Sequence, residues 1–194
     1  LVKRQRGRGT LVLSTEASPA FVQMVRSPSE LFSYPDSSLF RLLSDDRIEA
    51  DKALARELGC QAGDEWVRIS GLRTLGPEGL PICWADVYVI PEYGSIAQRL
   101  GGGSRPVYEM IAETFKESIE NITIRLTAGV LSEQKAEVLG VEAGSPSLSV
   151  SRFYQGRGGR IFEVSISEHP ASNFSYTFEF TRGWQTADHW SWSN

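Results

Sequence analysis

The sequence predicts an α+β domain assembled from two related half-units, and three observations carry that prediction. A block of about forty residues occurs twice. Runs that alternate apolar with polar residues read as strands, and short amphipathic runs bounded by capping residues and glycines read as helices between them. Two copies are too few for a solenoid, so the units are expected to pair into one pseudo-symmetric sheet with a shared core.

Each element follows in order. Residues 1–13 read as a basic, glycine-containing turn running into a short strand, Thr10-Leu11-Val12-Leu13. Residues 14–50 are rich in Ser and Pro (Pro19, Pro28, Pro35) and read as a linker and lead-in, ending in a loop or short helix over the core. Asp51 then caps a helix with Leu54, Ala55 and Leu58 on its apolar side and Gly59 as its stop. The first copy continues through Gly63, the strand Trp66 to Arg73, Gly79, and a second strand from Ile82 to Ile90.

Between the copies, Ser104 is expected to open a helix of about four turns, because Val107, Tyr108, Ile111, Ala112, Phe115 and Ile119 recur at spacings of three and four. Ile122 to Ala128 alternates as a strand. The second copy repeats the first at an offset of 81 residues at its front and 80 at its back. Ser132 caps, Ala136 and Leu139 face inward, Gly140 stops the helix, and the strands run Leu148 to Tyr154 and Ile161 to His169. Phe174, Tyr176, Phe178 and Phe180 alternate as a last strand, with either a packing face or a ligand-stacking face as the reading. Residues 183–194 form a tail whose Trp184, Trp190 and Trp192 suit a subunit contact or a loosely packed end.

Composition narrows the function classes. With 41% hydrophobic and 23% charged residues, 194 residues suffice for one sizeable core. No apolar run reaches the roughly 18 residues that span a bilayer, so no membrane role is expected. Cys60 and Cys83 lie in no CxxC or Cys/His cluster and are expected as reduced, buried side chains of a cytoplasmic protein. The net charge is −4, yet Lys3, Arg4, Arg6 and Arg8 fall within the first eight residues, which leaves −8 on the remainder. An acidic body repels nucleic acid, so any such contact is assigned to the N-terminal end. The chain opens without Met and in mid-element, from which a fragment of a longer protein is expected.

The copies differ where a site could form. Val67, Ile69, Gly71 and Arg73 share one strand face, as do Leu148, Val150, Arg152 and Tyr154, and Tyr154 is the repeat equivalent of Arg73. Both strands thus end an apolar face with a large hydrogen-bonding group, suited either to a cavity rim or to a side chain reaching water. In the next strand Cys83, Ala85, Val87 and Val89 are apolar, whereas their counterparts are Glu163, Ser165, Ser167 and His169. Burying a carboxylate and an imidazole without partners would cost several kcal/mol, so these side chains face solvent, pair internally, or line a polar cavity. There is no GxSxG, HExxH, P-loop or GxGxxG, and Gly101-Gly102-Gly103 lacks the Lys-Ser/Thr of a phosphate loop; it reads as a flexible connection or part of a lid. His169 and His189 have no acidic partner at ligand spacing, so neither a metal nor a cofactor is expected.

Together these residues resemble the UTRA domain, the effector-binding domain of the HutC branch of GntR-type bacterial transcription regulators. Leu1 to Val12 is similar to the wing of that family's winged helix-turn-helix, with its Arg-Gly-x-Gly-Thr-x-Val ending. The body matches through Ala-x-x-Leu-Gly, the Gly-Leu-Arg strand, the turn before Ile82, Val87-Tyr88-Val89-Ile90-Pro91 and the second copy. The resemblance implies a chorismate-lyase-like antiparallel sheet with flanking helices, with the wing remnant over 1–13, the lead-in over 14–50, the UTRA domain over 51–182 and the tail over 183–194. It further implies a sensor without catalysis, a homodimer, a small-molecule effector of the organic acid or sugar phosphate class, and operator DNA reached through an absent N-terminal domain.

By position, Arg73 matches an arginine that holds the effector's anionic group, while Gly71 stands where a first arginine is usual. Tyr108 matches a pocket aromatic, Pro106 replaces a frequent serine, Glu163 matches an acid that bonds a hydroxyl or amine, and His169 lies at a pocket aromatic position. Ser172-Asn173-Phe174 departs from the usual Gly-Asp-Arg-Tyr, so a displaced last strand is expected. The effector-binding candidates are Arg73, Tyr108, Arg125, Arg152, Tyr154, Glu163, Ser165 and His169; the DNA-proximal ones are Lys3, Arg4, Arg6 and Arg8. Two rivals stay open: a lyase-type enzyme acting on a small aromatic carboxylate, and a dimerisation or scaffold module whose polar face is simply wet.

Overall fold

The computed structural model describes residues 2–5, 9–12 and 21–25 by their backbone, and 38–179 apart from 77, 78, 80, 101 and 102. Six strands form one antiparallel sheet: β4 (Ser38–Glu49), β5 (Glu65–Leu75), β6 (Pro81–Val89), β9 (Ile161–Pro170), β8 (Pro146–Gln155) and β7 (Asn121–Val130), neighbours in that order. The first half-unit supplies β4, β5 and β6, and the second supplies β7, β8 and β9. They meet at the central β6–β9 pair, where Asp86 lies opposite Ile166, its own repeat equivalent. The flanking pairs Trp84–Glu168 and Tyr88–Val164 exchange under the 80-residue offset, so a pseudo-two-fold axis passes through the Asp86–Ile166 position.

The helices follow from local signals. Asp51 accepts from the backbone N–H groups of Ala53 and Leu54 at 2.9 and 2.8 Å, and Gly59 closes α1 (Lys52–Leu58) at φ 72°. Ser132 accepts from the Lys135 N–H at 3.4 Å, and Gly140 closes α3 (Glu133–Leu139) at φ 69°. α3 buries Ala136 and Leu139 against Leu72 and Trp84. Across the sheet face from it, Glu57 of α1 and Lys135 of α3 border a common groove floored by Asp86, Tyr88, Ser149 and Ser151. The opposite face is covered by a 3-10 helix over Pro91–Arg99 and by α2 (Val107–Phe115).

Three sequence expectations are corrected. From Ser38 to Glu49 the expected loop or short helix is the twelve-residue strand β4. Its outer half is exposed and charged because it is a sheet edge, which masks the alternation. The middle helix is shorter than four turns. Pro106 disfavours helical backbone at Arg105, so the helix starts at Val107 rather than beside Ser104, and Lys116 at φ 58° ends it before Ile119. Cys83 is fully buried, but Cys60 is only half-buried.

Near the ends, β1 (Val2–Gln5) and β2 (Gly9–Val12) pair as an antiparallel hairpin, so the expected turn before Thr10 contains a strand. β3 (Phe21–Val25), also within the expected lead-in, pairs in parallel with β10 (Phe174–Phe178). In the expected aromatic ladder Phe174 is buried, Tyr176 half-buried and Phe178 exposed; Phe180 and the three tail tryptophans lie outside the described residues.

Candidate functional site

The register decides where the polar strand points. β9 lies between β6 and β8, with Val89 and Tyr154 flanking Glu163, Val87 and Arg152 flanking Ser165, and Ala85 and Val150 flanking Ser167. Glu163, Ser165, Ser167 and His169 therefore share the face beneath α2 and the 3-10 helix. That face is not open to water: Glu163 is 2% exposed, Arg152 2%, Ser167 3% and His169 0%.

A cavity of about 40 Å³ sits there, roughly the space of one or two waters. Phe40, Ala85, Val87, Pro106 and Val107 give it an apolar side. Arg73, Arg152, Glu163, Ser165 and Ser167 give it a polar one, and Tyr108 and Tyr154 line it as well. The two tyrosine rings are stacked, centroids 4.5 Å apart and 17° between planes. Arg73 Nη1 donates to Ser38 Oγ at 3.0 Å and to the Ser104 carbonyl at 3.5 Å, and its guanidinium lies 5.8 Å from the Phe40 ring centre. The cation thus links the edge strand, the cavity and the segment leading into α2.

Burial sets the protonation states. Desolvation alone raises the Glu163 carboxyl well above the usual carboxylate range, which favours its protonated form, and its Oε2 has no hydrogen-bond partner among the described residues. His169 is pushed down to about 3, first by burial and then by the nearby Arg152 cation. Its Nδ1–H donates to the Ile82 carbonyl at 3.1 Å, and its ring stacks on Phe174 at 3.7 Å. Burial likewise raises the Tyr154 phenol, with the Arg152 cation opposing, and burial raises Tyr108.

Of the expected site residues, Arg73, Tyr108, Arg152, Tyr154, Glu163 and Ser165 converge on this cavity. His169 does not line it; it is a neutral aromatic filler at the end of the same face. Arg125 is corrected outright. It pairs opposite Ser151, one residue out of phase with Arg152, so it points to the other side of the sheet, where it is exposed with its guanidinium 4.8 Å from the Phe153 ring centre. Lys3 and Arg4 lie on β1, whose side chains are not described, and Arg6 and Arg8 lie outside the described residues. Sequence reasoning missed Ser38 and Phe40. Applying the 81-residue offset to β7 would have predicted a strand over residues 40–49 and brought Phe40 into view.

Two other hollows are larger but less enclosed. A bay of about 750 Å³ at the end of α1, between Cys60, Trp66, Pro91 and Arg160, opens broadly to solvent, and its Arg160–Glu92 ion pair is exposed. The groove between α1 and α3 holds about 330 Å³, with Lys135 contacting both Asp86 and Glu168. Neither contains an ionisable group as deeply buried as Glu163 or Arg152.

The UTRA domain family matches residues 37–175. The chain belongs to that family. Among solved structures, it superposes on PhnF from Mycobacterium smegmatis with TM-score 0.68 at 18% identity, covering 93% of this chain and 78% of that one. The effector domain of the same protein gives 0.67 at 15% identity, over 83% and 99%. A GntR-family transcriptional regulator from Bacillus cereus gives 0.60 at 17%, over 75% and 99%. At these identities the likeness establishes the fold, the chorismate-lyase-like α+β arrangement expected of a UTRA domain, and the match begins at residue 37, where β4 of the sheet begins one residue later.

Proposed function

We propose that this UTRA domain is the effector-sensing part of a bacterial GntR-type transcription regulator of the HutC branch, binding a small anionic or zwitterionic metabolite and modulating DNA binding without catalysing a reaction. The observation that carries the reading is the buried Glu163, with one oxygen unpartnered among the described residues, facing a cavity that also holds Arg73 and Arg152. An unsatisfied polar atom in an enclosed place is a standing cost that a bound ligand relieves. The superposed structures include an effector domain and a GntR-family transcriptional regulator, which favours sensing over turnover.

In this reading Arg73 takes the ligand's anionic group, Glu163 meets a hydroxyl or amine, and the tyrosines form walls. An anion that takes the Arg73 donors competes with the Ser104 carbonyl and so loosens the entry to α2. A ligand can shift a regulator only by preferring one of its arrangements, and a coupling of about 1–3 kcal/mol changes operator affinity roughly 5- to 150-fold. The β1–β2 hairpin, the homodimer and the cytoplasmic setting belong to the same proposal. Calorimetric titration of an organic acid and sugar phosphate panel into wild type and Arg73→Ala tests it: the binding acid is expected to lose at least about tenfold in affinity in the variant. Equal affinities would remove Arg73 from the site.

A further inference from the structure

One strand of the molecule stands outside the main sheet yet rests on its cavity face. β10 leaves β9 through a short turn fastened by the Ala171 N–H to the Pro146 carbonyl at 2.9 Å and the Asn173 N–H to the Pro170 carbonyl at 3.0 Å. Its strand partner is β3 of the N-terminal lead-in, with Phe174 opposite Phe21 and Tyr176 opposite Gln23 in parallel register. A two-stranded ribbon is marginal by itself, so this one depends on what it packs against.

Its seat is made by two residues of the face that bears Glu163. Phe174 and Tyr176 share one side of β10, and the buried Phe174 ring stacks on His169 with centroids 3.7 Å apart and 19° between planes. The Tyr176 hydroxyl is shut off from solvent and finds no carbonyl or carboxylate among the described residues. The charged group beside it is the Arg152 guanidinium, which opposes the rise that burial gives the phenol. Arg152 is also a cavity wall. One side chain thus faces both the hollow and the strand on which the lead-in is paired, so whatever draws the guanidinium toward the hollow draws it from Tyr176.

We infer that β10 is a strap between cavity and lead-in: seated on His169 and Arg152 and paired along its edge with β3, it lets the state of the Arg152 guanidinium set how firmly residues 21–25 are held. The strap's purpose rests on the sensing role proposed above, and it supplies the route from the hollow toward the N-terminal end. The test is amide hydrogen exchange of the 194-residue protein by mass spectrometry, without any ligand, in wild type, Tyr176→Phe, Arg152→Lys and the double variant. Tyr176→Phe is expected to speed exchange at least about fivefold over 174–178 and also over 21–25, while the β7–β8 ladder keeps its wild-type rates. Arg152→Lys, a change in the cavity wall, is expected to do the same, and to add little once the Tyr176 hydroxyl is gone. Unchanged exchange over 21–25 in Tyr176→Phe overturns the inference, as do effects of the two variants that simply multiply. Should Arg152→Lys loosen the β7–β8 ladder as well, it is globally destabilised, and Tyr176→Phe alone decides. Since no ligand is present, failure here leaves the Arg73→Ala titration to judge the sensing proposal separately.

Discussion

The two half-units of this domain share a backbone and differ in what they do with it. Both run strand, capped helix, strand, strand, and both bury the same helical positions, Ala55 and Leu58 in one and Ala136 and Leu139 in the other. On the face where they meet, the first half offers Cys83, Ala85 and Val87, while the second offers Glu163, Ser165 and Ser167. What the halves hold in common builds the sheet, and what separates them builds the cavity. A residue's repeat partner therefore indicates which of the two jobs it has.

The largest expected effect tests the shared part. Leu58→Ala and Leu139→Ala each remove a buried side chain from equivalent helices, at 0% and 4% exposure. Each is expected to destabilise by about 2–5 kcal/mol in urea unfolding. A loss at only one of the two would break the equivalence.

The polar strand should show two opposed pH responses. His169 has its folded value depressed to about 3 against the ordinary 6.5, so the folded state binds fewer protons between those values. The stability it protects is present above about 6.5 and lost as pH falls toward 3, at up to ~1.4 kcal/mol per pH unit. The difference in unfolding midpoint between wild type and His169→Phe should change across that window and be flat above pH 7. Glu163 is raised, so its contribution is whole below the ordinary carboxyl range and is lost as pH rises through its folded value. Glu163→Gln is accordingly expected to match wild type near pH 4 and to exceed it by about 1–3 kcal/mol at pH 8. A variant no more stable than wild type at pH 8 would mean that the carboxyl is not desolvated.

The smallest effect again compares like with like. Asp51→Ala and Ser132→Ala each remove an N-cap and should each lower stability by about 1 kcal/mol, the Asp51 change more, since its carboxylate serves two N–H groups where Ser132 serves one. Thermal melts of the pair give the order.

The pattern of what was readable from sequence follows from how local each signal is. The caps and glycine stops of α1 and α3 lie within ten residues of one another and were read correctly. So was the face shared by Glu163, Ser165 and Ser167, because strand parity needs no partner. β4 was missed because Arg41, Asp45, Asp46 and Arg47 suit an exposed edge rather than an alternating strand. Phe40 could not be recognised as a cavity wall, since that role depends on the missing side chain of Gly71, in a different strand. Arg125 was misplaced although Ile122, Ile124 and Leu126 alternate around it, so parity alone would have excluded it. The closeness of the Tyr108–Tyr154 stack depends on the helix position and leaves no trace in spacing.

Asp86 gives the pseudo-axis a last consequence. Its carboxylate accepts from Ser70 Oγ at 2.5 Å and Trp84 Nε1 at 2.9 Å and is approached by Lys135, all on the face away from the cavity. Two identical subunits related by a true rotation could not carry an acid at this spot without setting it against its own mirror, charge to charge. Tethering the halves in one polypeptide lifts that prohibition: aspartate faces isoleucine, and the seam of the sheet is free to be lopsided.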